Sequence, residues 1–165
     1  MDNKRLEKQF DFFREIDKEK FIGRQTYLTD GERKENDAEH AWHMAIMTVL
    51  LAEYANEKID VLKTVMMLLI HDLVEIDAGD TYAYDEEGKK TQREREEKAA
   101  KRIFGLLPEE QGEKLMALWE EFEAYETPEA NFAHTMDNIK PVMLNDATDG
   151  KAWLEHGVHL SQILG

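Results

Sequence analysis

His71 and Asp72 stand side by side at the end of a nearly unbroken apolar run, Val65-Met66-Met67-Leu68-Leu69-Ile70, and Glu75 follows one helical turn later. An imidazole and a carboxylate at the buried end of an apolar helix carry a desolvation cost that a bound cation offsets. The doublet therefore marks a candidate divalent-metal site. Consecutive helical residues point about 100° apart, so the two share an ion only where it lies between their directions near a helix end. His40 extends the apolar stripe of an upstream segment, and Asp137 interrupts the apolar face of a downstream one. A lone histidine on such a face is ordinarily a satisfied core residue. Two histidines and two aspartates at the ends of three separately apolar helices are harder to attribute to packing.

Imidazole with carboxylate suits Mn, Fe, Co, Ni or Zn better than a calcium cage, and geometry rather than affinity selects among them. Four protein ligands in an octahedral sphere leave positions for water and a substrate oxygen, which is the arrangement of metal-assisted hydrolysis. Glu75 follows His71 by four residues and Asp72 by three. A helix continuing that far carries its carboxyl over the same face, as a candidate acid or base.

The segments that must position these groups have helical periodicity almost throughout, which predicts an all-α protein. Leu6, Phe10, Phe13 and Ile16 form the expected core stripe of a first helix. Gly23 and Thr29-Asp30-Gly31 mark a connection. A second helix is expected from Asp37, as N-cap, through the stripe His40, Met44, Met47 and Leu51 to Tyr54. Its neighbour, Asp60 to Glu75, is apolar nearly all round between Val65 and Ile70, which predicts a central place in a bundle. The stretch from Asp77 to Lys90 reads as a loop. Helices follow from Thr91 to Phe104, from Pro108 through Leu115, Leu118, Trp119 and Phe122, and from Thr127-Pro128 through Phe132, Met136, Ile139 and Met143. Pro141 removes a hydrogen bond from the carbonyl of Asp137, so a kink or frayed turn is expected there. The final apolar-containing segment, Val158 to Leu164, fits a shortened C-terminus or a docking segment.

The chain has 165 residues, 42% of them hydrophobic and 9% aromatic, enough for one domain with a sizeable core. It has no cysteine, which excludes disulfides, thiolate zinc sites and thiol nucleophiles. The formal charge of −15 opposes extended DNA or RNA binding. No stretch has the length of a membrane span, and the start of the chain lacks the apolar core of a signal peptide, so a cytoplasmic protein is expected. The zinc-protease His-Glu-x-x-His pattern, the phosphate-binding and dinucleotide glycine loops, and the G-x-S-x-G elbow are all absent.

Taken together, Ala38-Glu39-His40, His71-Asp72-Leu73-Val74-Glu75, Gly79-Asp80-Thr81 and Met136-Asp137-Asn138-Ile139-Lys140-Pro141 resemble the HD-domain metal-dependent phosphohydrolases, and most closely their 5′-deoxynucleotidase branch. The resemblance runs from Arg24-Gln25-Thr26-Tyr27-Leu28 to Trp153-Leu154-Glu155-His156-Gly157. It implies a single HD-domain helical bundle of six or more helices over residues 1–165, and one divalent ion (Mn, Co, Mg, Zn, Ni or Fe) on His40, His71, Asp72 and Asp137. It further implies Glu75 and Asp80 as catalytic carboxylates, Arg24 as the phosphate contact, a homodimer, and a small nucleotide substrate that loses its 5′-phosphate. Arg33 and Lys34 compete with Arg24 for the phosphate role.

Glu75-Ile76 stands where relatives that hydrolyse alarmone pyrophosphates carry Glu-Asp, which counts against that activity. His43 and His134 are additional histidines near the site, expected as surface or supporting side chains, with a second metal as the alternative. The rival readings are another HD-domain chemistry, either a phosphodiesterase or a di-metal oxygenase, and a non-catalytic nucleotide-binding helical protein. Intact Glu75 and Asp80 argue against the last.

Overall fold

The computed structural model describes residues 3–81 and 85–164. Helix α1 (Asn3–Ile16) leans against the bundle edge and buries Phe12, whereas Leu6, Phe10 and Phe13 of the expected stripe stay exposed. The helix carries more apolar surface than its contact with the bundle covers. A 3₁₀ turn, Asp17–Phe21, leads to a short antiparallel hairpin of β1 (Gly23–Tyr27) and β2 (Lys34–Asn36), pairing Gly23 with Asn36 and Tyr27 with Lys34. The sequence predicts only a connection here, because strands this short and polar show no alternation. Thr29-Asp30-Gly31 forms the hairpin turn, where the Gly31 amide donates to the Leu28 carbonyl at 2.8 Å.

Helix α2 (Asp37–Leu51) is capped by Asn36 rather than Asp37. The Asn36 side chain accepts from the Glu39 amide at 2.9 Å and the Glu39 carboxylate accepts from the Asn36 amide at 3.0 Å, a reciprocal capping box. The cap lies one residue earlier than predicted, which leaves Asp37 free to turn inward. The helix buries His40, Met44 and Thr48 while Trp42, Ile46, Val49 and Leu50 face outward.

Helix α3 (Val61–Ile70) is capped by Asp60, whose side chain accepts from the Lys63 amide at 3.0 Å. Met67, Leu68 and Ile70 are buried, but Met66 is 36% and Leu69 38% exposed, so α3 is less enclosed than its composition predicts. The expected single helix to Glu75 is instead split. A 3₁₀ turn covers His71–Val74, and a short α4 (Glu75–Ala78) follows. Tighter winding changes the angular step between neighbours. All four residues of the turn are buried, including both members of the His-Asp doublet. Gly79, at φ +76°, then ends α4 in a conformation that L side chains rarely adopt and turns the chain toward Asp80.

Helix α5 (Glu86–Phe104) is capped by Asp85 and begins five residues before the predicted Thr91, so the charged stretch from Glu86 to Lys90 is helix, not loop. Of the expected loop, residues 82–84 lie outside the described residues. Helix α6 (Glu109–Ala124) has Pro108 at its cap position, and α7 (Pro128–Ala147) is capped by Thr127, with Pro128 opening its first turn. Helix α7 stays helical through Pro141, so the predicted frayed turn does not develop. Ile139 and Met143 are exposed, and the buried line of the second half is instead Met136, Lys140 and Leu144. Short helices α8 (Lys151–Glu155) and α9 (Leu160–Ile163) complete the described chain.

The core forms two apolar clusters. One gathers Phe12, Ile70, Val74, Ile103, Phe104 and Trp119, and the other Met44, Met67, Leu68, Phe132 and Met136, with Leu118 packed against both. The turn His71–Val74 contributes Leu73 and Val74 to the first cluster directly after Leu68 serves the second. Among the described residues, no helix is long and apolar enough to cross a membrane.

Candidate active site

The hairpin, the first turn of α2, the 3₁₀ turn after α3 and the middle of α7 converge, and each delivers predicted residues. His40 Nε2 lies 2.9 Å from Asp137 Oδ1 and 3.9 Å from Asp72 Oδ2. His71 Nε2 lies 3.2 Å from Asp72 Oδ1 and 3.9 Å from Asp137 Oδ1. Donor atoms of His40, His71 and Asp72 all fall within 4.8 Å of one another. The four residues predicted as metal ligands are therefore brought together.

The orientation of both imidazoles fits a metal. His71 Nδ1 donates to the Leu68 carbonyl at 2.7 Å, which points its Nε2 inward, where that buried nitrogen has no hydrogen-bond partner. His40 turns its Nδ1 toward Glu35 and its Nε2 toward the two aspartates. An outer ring nitrogen held by a carbonyl, as in His71, or set beside a carboxylate, as in His40, with the inner nitrogen turned to carboxylates, is the arrangement of metal-ligating histidines. The His71 ring also packs on Phe122, with centroids 4.8 Å apart.

Charge balance points the same way. Burial works against a charged His71, but Asp72 and Asp137 outweigh it and raise its pKa to about 10. Burial also opposes charge on Asp137, and His40 and His71 reverse that, holding its carboxyl well below the usual carboxylate range. Here protons do what a divalent cation does on the same donors.

Beside this centre lies a second group of acids. Asp37, Asp72 and Glu75 each bring a carboxylate oxygen within 4.8 Å of the others. Arg24, on β1, donates through Nη1 to Asp37 Oδ1 at 3.1 Å and to Asp72 Oδ2 at 2.9 Å. Burial disfavours its charge, but Asp72, Asp137 and Asp37 outweigh burial and keep the guanidinium protonated. Glu75 opens α4; burial, Asp72 and Asp37 push its pKa far above the usual range, so it remains a neutral carboxyl at neutral pH. Burial and Asp72 push Asp37 up to about 6, against the lowering effect of Glu75 and Arg24. Asp80 is raised chiefly by burial.

Arg33 and Lys34 are engaged away from Asp72 and Asp37. Arg33 pairs with Glu39 on the surface at 2.6 Å, and Lys34 donates to Gln25 at 2.9 Å. His134 Nε2 donates to the Phe122 carbonyl at 2.8 Å and its ring stacks on Phe122. His43 is half-buried beside Trp42.

Arg24, His71, Asp72, Glu75, Asp80 and Asp137 line a cavity of about 840 Å³, whose lining also includes Gln25, Gln92, Asn138, Asn145 and Trp153.

Four polar residues at or behind the site were not singled out from the sequence. Asp37 reads in the sequence as a cap. Glu35 and Lys140 pair behind His40, and Lys140 was legible as a charge in the i, i+4 line Met136-Lys140-Leu144. Glu19 is buried on the turn Asp17–Phe21 with Oε1 unpartnered, and no periodicity signals it.

Residues 16–165 match the family model described as HD domain. A structure described as a predicted metal-dependent phosphohydrolase from Magnetospirillum magnetotacticum superposes with a TM-score of 0.92 at 52% identity, covering 96% of this chain and 80% of that one. The human 5′-deoxynucleotidase HDDC2 is 31% identical over 112 residues, 68% of this chain and 53% of the human protein. The Dictyostelium discoideum 5′-deoxynucleotidase HDDC2 is 29% identical over 139 residues, 81% of this chain and 73% of that protein. The chain thus spans about half the length of the human protein it matches.

Proposed function

The chain belongs to the HD-domain family, and we propose that it is a single-domain, metal-dependent phosphomonoesterase that removes the 5′-phosphate from nucleoside monophosphates, deoxyribonucleotides foremost. The observation that carries this reading is the convergence of His40, His71, Asp72 and Asp137, with Arg24 and Glu75 beside them, at a cavity of about 840 Å³ that all but His40 line. The likeness to proteins described as 5′-deoxynucleotidases supports the substrate class.

His40, His71, Asp72 and Asp137 hold one divalent ion in this reading. When bound, the ion stabilises charge at the phosphorus and lowers the pKa of an attacking water. Arg24 swings from Asp72 to the phosphate, exchanging one anionic partner for another. Glu75, opening α4 beside Asp72 and Asp37, would position or protonate the leaving 5′-oxygen as the P–O bond breaks, its proton being replaced by the one the attacking water releases. Asp80 orders the incoming water or the sugar hydroxyl. The products are nucleoside and inorganic phosphate. A homodimer and a cytoplasmic setting belong to the same reading.

The second acid group, Asp37, Asp72 and Glu75, favours one alternative, a dinuclear HD-domain enzyme acting on a phosphodiester. The two readings separate on substrates. Deoxy- and ribonucleoside 5′-monophosphates, the matching 3′-monophosphates and a cyclic phosphodiester are offered to protein resupplied with Mn²⁺. Selective turnover of 5′-monophosphates supports the phosphomonoesterase. Preference for the diester, with about two metals per chain, supports the alternative. Tight nucleotide binding without turnover marks a sensor.

A further inference from the structure

Lys140 is fully buried on α7, at 0% exposure, and its ammonium donates to Glu35, itself only 2% exposed on β2. A buried lysine–carboxylate pair is a poor source of stability, since the desolvation of two ions consumes much of their attraction. The pair sits at the back of the site. Glu35 uses Oε1 for Lys140, and its Oε2 lies 3.3 Å from Nδ1 of His40. Nδ1 makes no hydrogen bond, so its contact with the carboxylate is one of charge and proximity. On the far side of the same ring, Nε2 faces Asp137 at 2.9 Å.

Connectivity makes this a frame. Glu35 and His40 lie on either side of the capping box formed by Asn36 and Glu39, which holds β2 and the first turn of α2 in one geometry. Lys140 and Asp137 are one turn apart on α7. The Glu35–Lys140 pair therefore ties the helix carrying one metal-ligand candidate to the segment carrying another.

We propose that Glu35, anchored by Lys140, is a positioning residue for the metal site: it holds the proton of His40 on Nδ1 and so keeps the Nε2 lone pair available to the ion. The inference rests on the metal-site reading above, not on the choice of nucleotide substrate. A carboxylate behind a ligating imidazole fixes its tautomer and orientation and raises its basicity, and losing it typically costs about 10- to 100-fold in metal affinity.

The test is a Mn²⁺ titration of chelator-stripped protein, with free Mn²⁺ read by electron paramagnetic resonance, on wild type, Glu35→Gln and the double variant Glu35→Gln/Lys140→Met. The double variant removes both buried charges, so its metal-free melting temperature is expected to match or exceed that of wild type. Its Mn²⁺ affinity is expected to fall by about 10- to 100-fold, as is that of Glu35→Gln. A double variant that melts like wild type and binds Mn²⁺ equally well overturns the proposal. So does failure of both variants to fold, which would make the pair a structural staple. Wild-type protein that takes up no Mn²⁺ overturns this inference together with the metal reading. Wild-type protein that binds Mn²⁺ but releases no phosphate overturns the assigned reaction alone.

Discussion

Arg24 Nη1 lies 2.9 Å from Asp72 Oδ2, so the guanidinium proposed to receive the phosphate rests on a carboxylate proposed to hold the ion. The same nitrogen reaches Asp37 Oδ1 at 3.1 Å. One cation thus bridges β1, the first turn of α2 and the turn after α3. Arg24→Ala is expected to lower kcat/KM for a nucleoside monophosphate by about 100-fold or more, because it removes a charge-assisted phosphate contact. It should also destabilise the metal-free protein by about 3–5 kcal/mol, since Asp37 and Asp72 lose their shared partner. Added Mn²⁺ should restore much of that stability, which thermal melting with and without the metal will show.

Glu75 and Asp72 separate chemistry from metal binding. Glu75→Gln keeps the volume of the side chain but removes the acid, so it should retain Mn²⁺ and lose about 10²- to 10⁴-fold in kcat. Steady-state kinetics beside a Mn²⁺ titration checks this, and full activity would remove Glu75 from its role. Asp72→Ala should abolish Mn²⁺ uptake and turnover while the protein remains folded, because its loss relieves repulsion on Asp37 and Glu75. Circular dichroism with metal analysis reads both outcomes.

How much of this was legible follows the length and character of each segment. His40, His71, Asp72 and Asp137 stand out because they extend, end or interrupt apolar patterns, and such patterns are where periodicity is informative. The hairpin Gly23–Tyr27/Lys34–Asn36 escaped because so few residues give no measurable alternation. The exposed side of α1 escaped for a different reason. Leu6, Phe10 and Phe13 share an apolar spacing that says nothing about which neighbour covers it, and the bundle took Phe12 instead. The break at Ile70 was also invisible, because a 3₁₀ turn uses the same residue types as the α-helix it interrupts. Glu35 is the clearest case. Its partner Lys140 reaches it from α7 by tertiary packing, and its contact with His40 depends on how β2 enters α2, neither of which a local pattern encodes.

Glu19 carries a pH signature. Burial, with the charges of Asp72 and Asp37, raises its pKa from 4.5 to about 8. A carboxyl raised on folding binds its proton more tightly in the native state, so its favourable contribution is complete below pH 4.5. That contribution is lost as pH rises toward 8, because the unfolded chain ionises freely while the native site resists. Glu19→Gln, always neutral, should therefore leave metal-free stability unchanged near pH 4.5 and raise it by about 2–4 kcal/mol at pH 8 and above. Urea denaturation at the two pH values measures the difference. Equal stability of variant and wild type at pH 8 would contradict it.

The most direct test of the proposed function is phosphate release from a deoxyribonucleoside 5′-monophosphate by chelator-stripped protein, before and after Mn²⁺ is restored. The account predicts no release without metal, recovery with about one Mn²⁺ per chain, and a faster rate than with the matching ribonucleotide. A protein that binds Mn²⁺ and the nucleotide yet releases no phosphate would contradict it.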